Sequence, residues 1–336
     1  MKQGTKSRQW TFEEALALIC DESQPLLRPV IAFLSSPGRA EVGRFADCWR
    51  GMAAERRREV IAAMVEMAEA DFELDYNAIF RWALQSRDPL VRERAVEGLW
   101  EDEQPSLIEP LLRMMKEDPE AAVRARAATS LGRFALLAEL GDISEERAAR
   151  VREGLLEVIE NQDEKVEVRR RAIESVAYLS DAPVRQIIDR AYEAPEEEMR
   201  LSAVFAMGRT ADKHWAEPVL RELHAPDPAM RYEAARAAGE IALRPAVPDL
   251  IRLLNDHDPE VQQIAVWALG QIGGAQARRA LKLCQGSPSE SIREAAEDAL
   301  SELDFSSAPL DLFCHDAEAG RDEAGSAPDE ASLDEE

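Results

Sequence analysis

Five side chains in this sequence have the types and spacing of a recognition patch: Leu201, Phe205, Tyr232, Arg236 and Trp267. Aromatic rings beside an arginine, rimmed by charge, are the composition of a protein-interaction hot spot. The alternative is that these side chains pack between neighbouring helices and are largely buried. Groups for bond-making chemistry are sparse. His214, His224, His257 and His315 are too few and too scattered for a metal centre, and His257 lies in a turn where capping explains its neighbour Asp258. Cys20, Cys48, Cys284 and Cys314 form neither a CxxC pair nor a zinc spacing, so free thiols in a reducing compartment are expected. The sequence has no phosphate loop, no GxSxG elbow and no HExxH. No catalytic residue, metal or cofactor is expected from these patterns.

A repeated unit positions the five residues. Taking Gln262 as a centre, steps of 31 residues reach Arg231, Arg200 and Arg169 in one direction and Arg293 in the other. Two earlier centres, Arg124 and Arg92, follow at spacings of 45 and 32. The residue before each centre is apolar: Val91, Val123, Val168, Met199, Met230, Val261 and Ile292. Alanine stands three after every centre, and an apolar residue from Leu99 to Leu300 stands seven after. Offsets of −1, +3 and +7 share one helix face. Position +8 is Gly132, Ala177, Gly208, Gly239, Gly270 or Ser301, with Trp100 the exception. Small residues at +3 and +8 let neighbouring helices approach closely. A glycine within a helix costs about 1 kcal/mol against alanine, so it needs such a reason.

Asp88-Pro89, Asp227-Pro228 and Asp258-Pro259 precede this helix, with aspartate at N-cap and proline at the first helical position. Asp118-Pro119 is expected to act likewise with a longer lead-in. A second apolar helix comes before the turn, as in the segment from Pro248 to Leu254. Each repeat is helix A, turn, helix B. One such hairpin cannot bury its apolar face alone, so copies stack. The fold class expected is all-α: an α-solenoid, a right-handed superhelix of about seven stacked hairpins.

The D-P-x-V-R run at Asp88–Arg92 and the A-x-x-A-L-G-x-I run at Ala265–Ile272 resemble HEAT repeats, in particular the short repeats of bilin-lyase-like proteins. The resemblance covers about Tyr76 to Leu303. It implies a helical scaffold, and it allows a bilin-lyase-type enzyme or enzyme subunit, although no residue set here carries that chemistry. Deoxyhypusine hydroxylases, which resemble this repeat type, hold iron through repeated His-Glu pairs, and this sequence has no His-Glu dipeptide. If B helices line the concave face, as the resemblance implies, offsets +1 and +5 form its exposed stripe. The five opening residues are that stripe in repeats 4 to 6. The centre arginines form a second set. Asp88 with Arg92 and Asp227 with Arg231 are spaced to bond within a repeat or to the next turn. Asp88, Arg92, Arg124, Arg169, Arg200, Asp227, Arg231, Asp258 and Arg293 therefore read as a structural ladder that pins repeat register, broken once by Gln262.

The net charge of −25 argues against nucleic acid, which selects a basic surface, and HEAT-like DNA glycosylases use a basic face. It suits a protein or peptide partner, possibly basic, or simply solubility. No run of 18 apolar residues exists, so no membrane segment is expected, and a soluble, cytoplasmic protein is the reading. Residues 1–75 lack the repeat signature and read as a helical cap or degenerate repeats, with Thr11 and Glu14 as a capping box. Residues 76–304 are the array. An insertion near 136–150 either forms a loop or lengthens two helices. Residues 305–336 hold ten acids against one arginine and are expected to be a disordered tail. Within it, residues 305–313 could cap the last repeat or serve as a docking peptide. The functional reading is a non-enzymatic interaction scaffold. The alternatives are the lyase role and a regulatory subunit tethered by its tail.

Overall fold

A computed structural model describes residues 10–179 and 181–307, with side chains through 305. Among these the chain forms eighteen helices and no strand. The first four are α1 (Phe12–Cys20), α2 (Arg28–Ala32), α3 (Arg39–Gly51) and α4 (Ala54–Ala70). Seven hairpins follow: α5 (Asn77–Ala83) with α6 (Pro89–Gly98), then α7 (Ile108–Glu117) with α8 (Ala121–Leu140). The third and fourth are α9 (Glu145–Glu160) with α10 (Val166–Val176) and α11 (Ala182–Tyr192) with α12 (Glu197–Arg209). The last three are α13 (Ala216–Glu222) with α14 (Pro228–Glu240), α15 (Val247–Leu253) with α16 (Pro259–Ile272) and α17 (Gly274–Cys284) with α18 (Glu290–Ser307). The even-numbered helix of each hairpin is helix B.

The repeated apolar positions make the core. Ala95, Ala127, Ala172, Ala203, Ala234, Ala265 and Ala296 are all fully buried, as are Val91, Val123 and Val168 one turn earlier. Each larger apolar side chain buried this way contributes about 1.5–3 kcal/mol. The turn aspartates start the helices as expected. Asp88 accepts from the Leu90 amide at 3.1 Å, Asp227 from Ala229 at 3.3 Å, and Asp258 from Glu260 at 2.8 Å. Asp118 departs from that role. Helix α8 begins three residues later with Glu120 at N-cap, and Asp118 caps a preceding turn by accepting from the Glu120 amide at 3.0 Å. Thr11 and Glu14 form the capping box, with the Thr11 amide donating to Glu14 at 2.9 Å.

Successive B helices are pressed together by the small residue at +8. A Cβ on Gly239 would stand 3.0 Å from the Ala268 Cα, and one on Gly208 would stand 2.8 Å from the Ala237 Cα. On Gly270 it would stand 2.9 Å from the Ala299 Cβ, and on Gly132 3.3 Å from the Ser175 Cα. In each case +8 of one repeat meets +6 of the next. Trp100 breaks the pattern because α6 ends at Gly98, so its +8 position has left the helix. B helices touch their neighbours along the whole array, whereas helices A meet one another less. A stack with one tighter row curves toward that row, which puts helices B on the inner side.

The row extends before the first repeat. Helix α4 packs on α6 and α2 on α4, while α3 packs on α5 and α1 on α3. Phe45, Trp49 and Trp82 join α3 to α5 with ring centroids 5.5–5.8 Å apart. Buried Arg56 ties α4 to the chain between α1 and α2, donating to the carbonyls of Ile19, Asp21 and Gln24 at 3.0, 3.2 and 2.9 Å. The extra residues near 136–150 lengthen α8 and α9, which meet at a turn with Gly141 in the left-handed region. Helix α18 continues past 304 to Ser307. The rest of the acidic segment, 308–336, lies outside the described residues, as does Cys314.

One cysteine expectation is corrected. Cys20 and Cys48 are joined as a disulfide linking α1 to α3, with Cα atoms 6.3 Å apart. A separation of 28 residues matches no motif, so only the packing of α1 on α3 brings them together. Cys284 is free and half-buried, and burial raises its thiol pKa.

Candidate functional site

Helices B present the +1/+5 stripe along the inner side of the array. At its start the stripe is ionic. Arg126 lies 3.9 Å from Glu93 and 3.5 Å from Glu97, so the second repeat reaches back to the first. In repeat 3, Arg170 and Arg171 both bond Glu167, at 2.5 and 3.0 Å. Those two bonds outweigh burial and hold the Glu167 carboxyl below its usual pKa. Glu174 accepts from the Ser202 hydroxyl of the next helix at 2.5 Å.

The aromatic part divides into two. Phe205 is half-buried and lies between two guanidinium groups, Arg236 at 4.1 Å from the ring centroid and Arg209 at 5.2 Å. Arg236, expected on the exposed stripe, is 8% exposed. It donates to Glu233 at 2.7 Å, to Glu240 at 2.6 Å and to the Phe205 carbonyl at 3.1 Å. Its hydrogen-bonding capacity is thus used within the fold, and it has little left for a partner. Glu233 is half-buried beside it. Desolvation raises the Glu233 pKa and the Glu174 and Glu240 carboxylates add to this, against the pull of Arg236. Leu201 is half-buried at the edge of this cluster.

Tyr232 and Trp267 are arranged differently. With Glu260, Gln263 and Ile264 they line an open hollow of about 410 Å³ between α14 and α16. Trp267 is 36% exposed, and one edge of its indole lies over Gly239, 2.6 Å from where a Cβ would stand. The glycine that brings the helices together therefore also seats the ring. Glu260 lines the hollow, Glu294 and Asp298 hold the +1 and +5 positions of the next repeat, and among the described residues none of these three carboxylates has an ion-pair or hydrogen-bond partner. Aromatic faces beside unpaired carboxylates suit a cation.

A third position of the stripe, +9, was missed by the sequence reading. It carries Tyr178, Arg209, Glu240, Gln271 and Glu302. Arg209 lies 3.2 Å from Glu240 and 5.8 Å from the Tyr178 ring centroid, and Gln271 donates to Glu302 at 3.2 Å. The signal was present: +1, +5 and +9 are one i, i+4 series.

The ladder arginines point away from the stripe, into the turns. Arg92 donates twice to Asp118, both at 2.7 Å. Arg124 donates to Glu164 at 2.9 and 2.8 Å, and Arg231 to Asp256 at 2.8 and 2.7 Å. Each also donates to carbonyls of its own turn, as Arg231 does to Ala225 and Pro226 at 2.9 and 2.8 Å. The partner carboxylate belongs to the next repeat in all three. Asp88, Asp227 and Asp258 act as N-caps and do not pair with their own repeat's arginine. Arg58 of α4 bonds Asp88 at 2.7 Å. Arg169 bonds the Ile159 carbonyl in the last turn of helix α9, Arg200 and Arg293 bond carbonyls of their own turns, none of the three with a ladder carboxylate, and Gln262 donates to the Asp256 carbonyl at 2.6 Å.

Among the described residues no cluster of three or more His, Cys, Asp or Glu is arranged to hold a metal, and no helix is long and apolar enough to cross a membrane.

Residues 77–158 and 216–301, together half of the chain, match the family model for HEAT repeats. The match does not extend to the bilin-lyase type. No curated protein matches the sequence. Among solved structures, the Escherichia coli protein YibA is 14% identical over 82% of this chain and 96% of its own, with a TM-score of 0.47. A chain of the Kap95:Nup1 complex is 15% identical over 88% of this chain and 46% of its own, with a TM-score of 0.48. A designed armadillo repeat protein in complex with the peptide (KR)4 is 18% identical over 60% of this chain and 99% of its own, with a TM-score of 0.38. At these identities the likeness concerns the fold alone.

Proposed function

The chain belongs to the HEAT-repeat family, and we propose that it works as a non-enzymatic scaffold holding a protein or peptide of basic character on the inner stripe of repeats 4 to 6. The observation that carries this reading is the open hollow framed by Tyr232 and Trp267, beside the unpaired carboxylates of Glu260, Glu294 and Asp298. A lysine or arginine from a partner finds there a ring face and a counter-charge, an arrangement worth about 0.5–2 kcal/mol per cation–π contact. The partner's neighbouring residues then cover Ile264 and the half-buried Leu201, which supplies apolar area. Phe205 and Arg236 support the stripe from beneath.

The test is capture of partners from native lysate by the full-length protein, beside a Tyr232→Ala/Trp267→Ala variant of unchanged helicity. A basic protein held by the first and lost by the second supports the reading. Identical capture by both, at low and at physiological salt, removes the stripe from consideration.

A further inference from the structure

The ladder lacks a carboxylate at Arg169, Arg200 and Arg293, and a cleft opens beside the first of these. At the filled rungs an arginine pairs with a carboxylate in the next repeat's turn, as Arg231 does with Asp256, 25 residues on. The residue 25 beyond Arg169 is Ala194. Among the described residues Arg169 therefore makes a single hydrogen bond, from Nε to the Ile159 carbonyl at 3.1 Å, and its two terminal nitrogens have no partner there. Here, between repeats 3 and 4, lies a cleft of about 670 Å³. Ile159, Ile173, Ile187 and Met199 form its apolar floor, and Arg169 and Arg190 both line it. Arg190 has only a weak bond to the Gln186 carbonyl, at 3.4 Å, and no carboxylate partner.

We propose that this cleft binds a carboxylate side chain of a partner peptide, which takes the place that Asp118, Glu164 and Asp256 hold at the filled rungs. The site is separate from the stripe of helices B and does not depend on that reading. The Ile159 carbonyl fixes Nε of Arg169, so a carboxylate would meet the two terminal nitrogens end-on, whereas at the filled rungs it takes Nε and Nη2. Charge-assisted pairs of this geometry are the strong class of protein hydrogen bond. The apolar floor selects aspartate or glutamate flanked by aliphatic residues over a bare anion. Glu160, Glu193 and Glu196 also line the cleft and oppose a second negative charge. The filled rungs tolerate the same crowding: Arg92 holds Asp118 with Asp88 and Glu120 nearby, and Arg231 holds Asp256 with Asp227 and Asp258 nearby. Arg190 adds a second cation to the cleft.

The experiment is calorimetric titration of the full-length protein with two blocked hexapeptides, Ala-Leu-Asp-Leu-Leu-Ala and its Asp-to-Asn counterpart. The aspartate peptide is expected to bind about tenfold more tightly or better, the ratio one charge-assisted pair provides. Ala194→Asp supplies the missing carboxylate from within. It should raise the melting temperature and weaken binding of the aspartate peptide by about tenfold or more. Arg169→Gln should abolish the preference for aspartate, while Tyr232→Ala/Trp267→Ala leaves it intact. The proposal is overturned if neither peptide binds, if both bind equally, or if the folded Ala194→Asp protein binds as the parent does.

Discussion

Arg231 and Asp256 are joined across the boundary of repeats 5 and 6 by two parallel hydrogen bonds, of 2.8 Å from Nε and 2.7 Å from Nη2. Asp256 also accepts from the Asp258 amide at 3.0 Å, so one carboxylate fixes the turn and the neighbouring repeat together. The bond from Arg231 is the main reason that the Asp256 pKa lies below its ordinary value. A carboxyl depressed in the folded state stabilises the fold above its unfolded pKa and loses that contribution as pH falls through the folded value. Asp256→Asn is therefore expected to cost about 2 kcal/mol at pH 7. The difference from the parent should shrink as pH falls below about 4, the unfolded aspartate value. Urea unfolding of both proteins at pH 7 and pH 3 measures this. An equal cost at both pH values would mean that packing, not charge, holds the rung.

The glycines of this chain make a paired prediction with opposite signs. Gly239 lies in α14 where a Cβ would meet the Ala268 backbone at 3.0 Å and the Trp267 ring at 2.6 Å. The backbone of α16 cannot move without shifting a repeat, so Gly239→Ala should destabilise by about 1–3 kcal/mol. Gly43 lies mid-helix in α3 with nothing within 4 Å of its would-be Cβ. Gly43→Ala should stabilise by about 1 kcal/mol, the helix-propensity difference alone. Thermal melts of the two variants separate close approach from mere tolerance of glycine.

What the sequence made legible follows from range. Val91, Ala95 and Leu99 lie on one face within two helical turns, and the pattern returns seven times, so core and hairpin order could be read directly. The Asp88, Asp227 and Asp258 caps are equally local. The partner of each ladder arginine was hidden because Asp118, Glu164 and Asp256 stand 26, 40 and 25 residues away, in a turn whose placement depends on stacking. Arg236 stands on the stripe that helices B are expected to expose, with burial between helices as the alternative, and for this residue the alternative holds. It is buried because Glu233, Glu240 and the Phe205 carbonyl together satisfy it. The cleft at Arg169 was the least legible feature, since its sign is an alanine, Ala194, at a place where Asp118 and Asp256 stand in two other repeats but Ala225 and Ser287 stand in two more.

Two helices end on an alanine held in the left-handed region, Ala211 at φ 49° and Ala242 at φ 53°, where the next repeat has Gly273 at φ 67°. After α14 the Leu243 amide donates to the Ala238 carbonyl at 2.9 Å and the Ala242 amide to Gly239 at 3.0 Å. This hydrogen-bond pair terminates the helix and forces the residue between into that region. A Cβ there costs about 1 kcal/mol, partly offset by the greater freedom of glycine in the unfolded chain. Ala242→Gly should accordingly raise stability by about 0.5–1 kcal/mol, unlike most substitutions to glycine. Denaturant midpoints of Ala242→Gly and Ala211→Gly test it, and a loss in both would mean that the turns relax around alanine without strain.

Arg236 and Trp267 occupy the same +5 position in consecutive repeats, yet their truncation should act on different properties. Arg236→Ala removes the counter-charge from Glu233 and Glu240 and a donor from the Phe205 carbonyl. Stranding two half-buried carboxylates in this way should cost about 2–4 kcal/mol, somewhat less than for fully buried ones, and lower the melting temperature. Trp267→Ala strands no polar group, and its ring is already 36% exposed. Its stability cost should stay near about 1–2 kcal/mol, the value of a partly buried apolar side chain. Binding should divide the other way. If the hollow beside Tyr232 holds the partner, Trp267→Ala should weaken binding about thirtyfold or more, the loss associated with a hot-spot residue. Melting curves and partner titrations on both variants read the two axes independently. A Trp267→Ala protein that is stable and binds as the parent does would place the partner elsewhere on the array.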